Sequence, residues 1–562
     1  MARGVTAGVA VTAILLRLGW SEPVLPARWL VVIEGAALVV FGLAIFLEGV
    51  RITRSPVRAL TRSPLRAGVI VVAAALAWLP IAVTLCVAAL AVIESLDVFM
   101  RFVGRTRSTA MVFAGTFVAL ISLGTLALLL PVATPTDRPI SVVDAAFTST
   151  SAVCVTGLVV RDTGTEFTHV GQWIILGLMQ LGGLGIVIFG ALIALAMGSS
   201  MGLRLSRTLS DTTAEGHARP SAIRPLVLFI VTATIVVEAV GAITLYLGWP
   251  SVWTGGPEMT QPASRVFHAV FFSVSAFCNA GFATAGTSLE GLRFHWTSQV
   301  VIAGLITVGG LGFPVLDNLR AVLWARVRGV RMERGALVRL SLHTRLVLVT
   351  SVTLYLAGAV LLTIGRLSQG GETVGAALLD GHFMSITART AGFDTVSPAA
   401  MGPLSRLILI TLMFIGGSPG STAGGVKTIA VAIIVLTIWS TIRGRATTVA
   451  FGRTISDGLV RRAATLITLG AATIAGLTLA LALTDGRDRL IGDLLFEVVS
   501  ASSTVGLSTG MTSDLSPAGR VVLILAMYVG RVGPLVVLGA LASMGLSRRP
   551  AREFPAEPVV MG

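Results

Sequence analysis

The amino-acid sequence predicts an all-α polytopic membrane protein, and three observations support this fold class. The chain of 562 residues is 54% hydrophobic and only 12% charged, whereas soluble domains carry roughly 25% charged residues. Many apolar segments reach the roughly 20 residues that a helix needs to cross hydrocarbon. Two motifs also recur four times in step, which predicts four fused copies of one membrane unit around a single ion pathway.

The distribution of arginine predicts how the chain is oriented in the membrane. The net charge of +15 comes from arginines that cluster between apolar segments, above all in 326–345 and 441–462, with further clusters in 204–224 and 548–552. Basic loops of this kind face the cytoplasm and contact anionic lipid. The charge therefore indicates a membrane partner and no nucleic-acid partner.

The first repeated motif places a glycine before a bulky apolar residue. It reads "SAVCVTGL", "SAFCNAGF", "TARTAGF" and "SASSTVGL", with the glycines at Gly157, Gly281, Gly392 and Gly506. A glycine motif follows after 25, 28, 24 and 24 residues, and it begins at Gly182, Gly309, Gly416 and Gly530. Two motifs that stay in step four times indicate a fourfold repeat.

Each copy predicts the same order of elements. A long helix (110–132, 225–249, 343–366, 461–484) precedes a short segment (144–156, 266–280, 376–391, 491–505), and a second long helix follows (171–197, 298–325, 403–440, 517–546). The predicted repeats are 108–203, 204–325, 326–442 and 443–547, between N-terminal membrane helices (1–107) and a cytoplasmic tail (548–562). Apolar segments at 5–20, 28–50 and 69–100 leave the number and topology of the N-terminal helices open.

The short segments predict a cation site. They are too short to span, so each enters the membrane from the outer face and returns as extended backbone, which is tolerated only where it lines a cavity. Four such loops around one axis form a ring of oxygens that can replace the water shell of an alkali cation. The predicted ion-binding residues are Val155, Thr156, Gly157, Asn279, Ala280, Gly281, Thr390, Ala391, Gly392, Thr504, Val505 and Gly506.

The third repeat predicts an irregular loop inside the membrane. Residues 416–425 contain five glycines and a proline within an otherwise apolar run, and such a stretch does not stay helical. Interrupted helices of this kind mark ion pathways, so this loop is the predicted gate. Lys427, at its end, is the only lysine in the chain against 41 arginines. The predicted gate residues are Gly416, Gly417, Ser418, Pro419, Gly420, Ser421, Thr422, Gly424, Gly425, Lys427 and Arg531.

Arg531 carries a charge in the middle of an apolar segment. The repeats align it with Gly183, Gly310 and Gly417, so one guanidinium is expected where three units carry no side chain. It would project into the conduit below the ring and repel cations there. The alternative is a structural arginine that binds backbone carbonyls of a broken helix.

Charged residues beside the short segments have two interpretations. Asp380, Glu497 and Arg389 are expected to cap helix ends or to form an arginine–carboxylate pair inside the membrane. Asp162, Glu290 and Asp394 are candidates for an outer ring of carboxylates that concentrates cations.

Residues 108–546 resemble the Trk/Ktr/HKT superfamily of potassium transporters, in particular its pore-forming subunit of the TrkH and KtrB kind. The strings "AVCVTGL", "FCNAGF", "RTAGF", "GGSPGSTAGGVKT" and "GRVGPL" carry this resemblance. It implies that the four loop glycines form a selectivity filter for K⁺, and that the loop at 416–427 and Arg531 gate it from below. Sodium-preferring plant members carry serine at the first filter glycine, whereas this chain has Gly157.

The resemblance also implies partners and a location. A homodimer in the bacterial plasma membrane and a separate cytosolic ring of nucleotide-binding regulatory subunits are expected, and no organic cofactor is expected in this chain. A sodium-permeable or Na⁺/K⁺-symporting member of the same family is an alternative. A small-solute secondary transporter would show two inverted halves, and a membrane hydrolase would show a catalytic motif, so the chain is not expected to be an enzyme.

Overall fold

The computed structural model describes residues 109–196, 220–249, 262–328, 339–487 and 489–533. The predicted N-terminal segments within 1–107, the arginine-rich stretches 204–219 and 329–338, the end of the last long helix (534–546) and the tail 548–562 lie outside the described residues.

Fourteen α-helices account for most of the described chain, as the all-α prediction requires. The first two units contain α1 (Thr109–Leu128), α2 (Val142–Cys154), α3 (His169–Ala196), α4 (Pro220–Leu247), α5 (Pro262–Cys278), α6 (Trp296–Leu311) and α7 (Phe313–Val327). The third and fourth contain α8 (Leu342–Leu367), α9 (Val374–Thr387), α10 (Pro403–Phe414), α11 (Thr428–Ile442), α12 (Asp457–Asp485), α13 (Ile491–Ser502) and α14 (Pro517–Val532). A long helix, a short helix and a second helix therefore follow one another four times, and the second helix is interrupted in the second and third units.

Helix starts follow from local capping chemistry. The side chains of Ser141, Thr373 and Ser516 accept hydrogen bonds from backbone N–H groups in the first turns of α2, α9 and α14. Such caps satisfy donors that have no partner inside the helix. Two short helices and one long helix are thereby fixed at their predicted outer ends.

The long helices have the length and surface of membrane helices. Three of them, at Val227–Leu247, Leu342–Leu367 and Asp457–Asp485, are long and apolar enough to cross a bilayer, and α6 with α7 adds a fourth if the bent pair is one span. Large apolar side chains are exposed along them, for example Leu126 and Leu483. The short helices instead lie inside the protein, where their phenylalanines, including Phe147, Phe277 and Phe496, belong to the largest fully buried side chains.

The second long helix of the second unit is not continuous, and the predicted single helix 298–325 is wrong. It breaks at Gly312, whose φ is 87°, and α7 leaves α6 at an angle of 99°. The break places the N–H of Phe313 within 3.0 Å of the carbonyl oxygen of Gly420. Pro314 stands in the first turn of α7, a position that tolerates a proline.

A β-hairpin between the third and fourth units was not predicted. Strands β1 (Thr448–Ala450) and β2 (Arg453–Ile455) pair antiparallel around a turn at Phe451 and Gly452. Ala450 and Ile455 pack in one cluster with Ala430 and Ile433 on the first turns of α11. β-branched residues on both sides of a glycine turn were the available sequence signal.

Candidate functional site

Four loops meet in a ring, which we define by its glycines: Gly157, Gly281, Gly392 and Gly506. A β-carbon added at Gly157 would meet the carbonyl oxygen of Ala280 and lie 3.0 Å from the Cα of Gly281. The same contact recurs at the other three glycines, which meet the carbonyls of Ala391, Val505 and, back in the first unit, Thr156. The contacts close a circle of four units in chain order.

The ring loops share an unusual backbone. The residue two before each glycine has a φ between 51° and 77°, and each glycine has a φ between 71° and 100°. Non-glycine residues at positive φ cost about 1–3 kcal/mol each and persist only where the surroundings impose them. The four strained residues are Val155, Asn279, Thr390 and Thr504.

Hydroxyl groups at the ends of the short helices fix these loops. The N–H groups of Gly157 and Gly506 donate to Ser151 Oγ and Ser500 Oγ at 3.0 and 3.1 Å. In the other two units the hydroxyl donates, from Ser275 to the carbonyl of Phe282 and from Thr387 to that of Phe393. Each short helix ends at its ring loop, so its negative dipole end faces the ring.

Oxygen atoms suited to an alkali cation remain in the loops. The hydroxyls of Thr156, Thr390 and Thr504 are buried, and the described protein gives them no hydrogen-bond partner. Carbonyl and hydroxyl oxygens are the donors that replace the hydration shell of such ions. Among the described residues no group of three or more His, Cys, Asp or Glu side chains could hold a metal ion.

Glycines of the second long helices let those helices approach the ring. A β-carbon at Gly182, Gly309 or Gly530 would collide with a carbonyl of the short helix in the same unit, those of Val153, Phe277 and Ser502. In the third unit Gly416 instead meets Gly424. In the first, second and fourth units a helix therefore occupies this space, whereas in the third unit a loop fills it.

Backbone hydrogen bonds join the two ends of this intramembrane loop (415–427). The N–H of Gly416 donates to the carbonyl of Val426 at 3.0 Å, and the N–H of Val426 donates to that of Phe414 at 3.2 Å. Inside the loop, Lys427 Nζ donates to the carbonyl of Ala423 at 2.7 Å. The backbone groups that a broken helix exposes are thus bonded within the loop.

The loop also contacts the second and fourth units. Ser418 donates its N–H and its hydroxyl to the carbonyl of Gly310 at 3.2 and 2.8 Å. Thr422 Oγ1 donates to the carbonyl of Phe277 at 3.2 Å. On the other side, a β-carbon on Gly424 would collide with Thr504 Oγ1, next to the ring. The predicted gate residues therefore lie directly beside the ring residues.

Arg531 bridges this loop and the first unit. Its guanidinium is buried, and it donates to the carbonyl of Thr422 and, at 2.7 Å, to that of Gly182. These bonds to backbone carbonyls are the ones that the structural interpretation of Arg531 expects, whereas the repulsion of cations by its charge stays a prediction. Arg389, a partly buried arginine near the loop, donates to the carbonyl of Gly416 at 3.4 Å.

The carboxylates beside the short helices differ in their partners. Asp380 pairs with Arg293 and Arg366, at 2.7 and 3.2 Å, rather than with Arg389. Glu497 is fully buried, and it accepts hydrogen bonds from the loop that follows Gly506. The donors are Ser508 Oγ at 2.7 Å, Thr509 N at 2.8 Å, Thr509 Oγ1 at 3.0 Å and Thr512 Oγ1 at 2.6 Å.

The carboxylates proposed for an outer ring are engaged locally. Asp162 accepts from the N–H and hydroxyl of Thr165 at 2.7 and 2.8 Å. The backbone of Asp394 is bonded to Ser288 and Leu289 of the second unit. Glu290 and Asp394 lie close enough for their charges to interact, and the outer ring of carboxylates stays a prediction.

The described helices match a known fold. The structure of the potassium transporter TrkH from Vibrio parahaemolyticus superimposes with a TM-score of 0.61 at 18% identity, over 96% of this chain and 98% of that one. The sequence model of the TrkH family, described as cation transport proteins, matches residues 81–544. The chain belongs to this family. The resemblance to the Trk/Ktr superfamily is confirmed, and so is the prediction that the chain is not an enzyme, since the family transports cations.

Curated relatives align with most of this chain. Ktr system potassium uptake protein B of Vibrio alginolyticus is 35% identical over 438 residues, which is 75% of this chain and 90% of that protein. Potassium/sodium uptake protein NtpJ of Enterococcus hirae is 31% identical over 476 residues, which is 83% of this chain and 100% of the relative. The chain is therefore an integral membrane protein of a cation transport family.

The packing of the second helices yields a first prediction. Gly182→Ala forces a methyl group onto the carbonyl of Val153, and we expect a loss of about 1–3 kcal/mol in stability, as for overpacked cores. Gly177→Ala is the matched control, because it lies in the same helix α3 with nothing within 4 Å. The melting temperatures of the two detergent-purified variants are to be compared by thermal unfolding. Equal melting temperatures would contradict the close approach of α3 to the short helix α2.

Proposed function

We propose that this protein takes up K⁺ across the bacterial plasma membrane through a selectivity filter formed by its four ring loops. The observation that carries the proposal is the closed circle of backbone contacts from Gly157 through Gly281 and Gly392 to Gly506 and back. Only a ring with one loop from each unit gives such a circle. Four fused pore-loop units around one ion pathway account for it.

The filter would act through the oxygens of its loops. Carbonyl groups of the twelve predicted residues, together with the threonine hydroxyls, would replace water around a dehydrated K⁺. The negative ends of four short helices add favourable potential at the same place. The local backbone strain is consistent with a loop that is held open for an ion, since strained residues cluster at functional sites.

The intramembrane loop would gate this path. It reaches Thr504 next to the ring and is held on two sides, by Ser418 bonded to Gly310 and by Arg531 bonded to Thr422. Opening requires that at least one of these bonds breaks. Arg531 also places a fixed positive charge beside the path, where it opposes cations because the surroundings have a low dielectric constant.

Sodium permeation is the second candidate function. One curated relative is named a potassium/sodium uptake protein, and the four loops differ in sequence, which favours a ring of lower symmetry. Gly157 favours K⁺ by the resemblance stated above. A homodimer and a cytosolic ring of nucleotide-binding regulatory subunits complete the proposal, and the relatives named as parts of Ktr systems support such a partner.

Rubidium uptake tests the filter. A bacterium that lacks its own potassium uptake is to express this chain, with and without a Ktr-type regulatory subunit. We expect Rb⁺ uptake that resists excess Na⁺ and is lost in Gly157→Asp, because a side chain there meets the backbone of Ala280. Gly177→Ala serves as the control. Uptake abolished by Na⁺ would instead support the sodium-permeable alternative, and uptake by Gly157→Asp would contradict the filter assignment.

Removal of the central charge tests the gate. Arg531→Gly copies the residue found at the matched positions Gly183, Gly310 and Gly417. It removes the bond to Thr422 and the fixed charge, and we expect initial Rb⁺ uptake to rise about tenfold or more, the effect of roughly 1.4 kcal/mol on a barrier. Arg531→Lys keeps the charge and should stay near the parent rate. Unchanged uptake in Arg531→Gly would contradict a gating role for this side chain.

A further inference from the structure

One polar position recurs at the predicted outer end of all four second long helices. It lies ten residues before the glycine motif, and it is occupied by Gln172, Gln299, Arg406 and Arg520. Each of these side chains donates to backbone carbonyls of the loop that precedes its own helix, for example Gln172 Nε2 to Thr163 at 3.2 Å and Arg406 Nε to Met401 at 2.9 Å. Gln299 holds Leu292 and Arg293, and Arg520 holds Ser513.

The two arginines among them also reach across to the next unit. Arg406 pairs with Asp493 on α13 at 2.9 Å, and Arg520 pairs with Asp144 on α2. Between the second and third units Arg293, held by Gln299, takes over this role and binds Asp380 on α9 at 2.9 and 2.7 Å. We call these three contacts the outer clasps. In each of them an arginine of one unit binds an aspartate on the next unit's short helix, in the first turn of α2 and α13 and at the middle of α9.

The seam between the first and second units differs. His268 lies thirteen residues before Gly281, as Asp144 and Asp493 lie thirteen before their glycines. It shares a hydrogen bond of 2.8 Å with Thr284 Oγ1 of its own unit, and its ring lies against Trp249 and Phe267. Gln172 carries no charge, and within the described ranges no ion pair joins these two units. The ring of clasps is therefore open at one seam.

We infer that the outer clasps are positioning residues that set the width of the ring and hence its discrimination between K⁺ and Na⁺. This inference rests on the proposed function. Each ring glycine lies in van der Waals contact with the ring loop of the next unit. The distance between neighbouring loops therefore depends on where the short helices that precede them are held. Each clasp holds one of these helices in its first turn or, for α9, at its middle, while the ring loop follows the C-terminal end of the helix. The seam between the first and second units has no clasp, and there Phe267 of the second unit packs against His169 and Trp173 of the first.

The seam between the third and fourth units is suited to a test. Asp380 is 0% exposed and bound by two arginines, so its loss would leave buried charges unpaired and test folding instead. Asp493 and Arg406 are 27% and 30% exposed, and variants of that pair should fold. Arg406→Gln introduces the residue that the first two units carry, which can keep the bonds to its own loop but cannot reach Asp493.

The experiment measures Rb⁺ uptake against increasing Na⁺. We expect Arg406→Gln and Asp493→Asn to retain uptake and to need roughly three- to tenfold less Na⁺ for half-inhibition, the effect expected for one partly exposed intramolecular hydrogen bond. Arg406→Lys should restore much of the discrimination. Arg320→Gln is the control, because Arg320 pairs with Asp317 within α7 and crosses no seam.

The reverse experiment closes the open seam. Gln172→Arg combined with His268→Asp installs the missing pair, and we expect the double variant to tolerate more Na⁺ than the parent, whereas neither single variant should. The inference would be overturned if Na⁺ inhibited Rb⁺ uptake as in the parent in all three variants, namely Arg406→Gln, Asp493→Asn and the double variant, while their size-exclusion profiles were unchanged. That outcome would leave the proposed function intact. Absence of Rb⁺ uptake by the parent chain, with its regulatory subunit present, would overturn both.

Discussion

Contact between the backbones of neighbouring units is the constraint on which the described structure depends. Each ring glycine lies so close to the next loop that no side chain fits between them. Extended backbone at membrane depth is stable only when its polar groups are bonded or face a cavity, and the hydroxyls of Ser151, Ser275, Thr387 and Ser500 supply those bonds from the short helices. The buried short helices, the capped helix starts and the glycines of the second helices all serve to bring four loops to one place.

The third unit shows what replaces a helix at this site. Its second helix ends at Phe414 and resumes at Thr428, and the loop between them fills the space next to the ring. The other units adapt to it: α6 breaks at Gly312 so that Phe313 can bind Gly420, and Arg531 binds Thr422. Elements from two other units, the second and the fourth, therefore hold this loop of the third unit. A loop held by several such bonds is suited to change between two discrete arrangements.

The sequence predicted those parts of the fold that depend on composition and repetition. Hydropathy located the helices, usually within a few residues, and the spacing of the glycine motifs identified the loops that meet in the ring. Interactions across seams could not be predicted, because they depend on the relative placement of units. Asp144, Arg406 and Arg520 were not among the predicted site residues for that reason, and the two arginines that bind Asp380 were not identified. The bend at Gly312 was missed although Gly312 and Pro314 are local helix-breaking residues. The hairpin at 448–455 was missed because its short strands lie between long apolar helices.

A single chain with four unequal copies permits an asymmetry that four identical subunits could not have. In a symmetric tetramer every substitution appears four times, so an arginine at the level of Arg531 would place four guanidiniums around one axis, and their mutual repulsion inside a low-dielectric interior would be severe. Fusion of the copies removes this penalty. Gene duplication followed by divergence lets one unit contribute a charge, another a loop and the remaining two plain glycines. The division of labour among the copies is thus a property that four identical subunits could not provide.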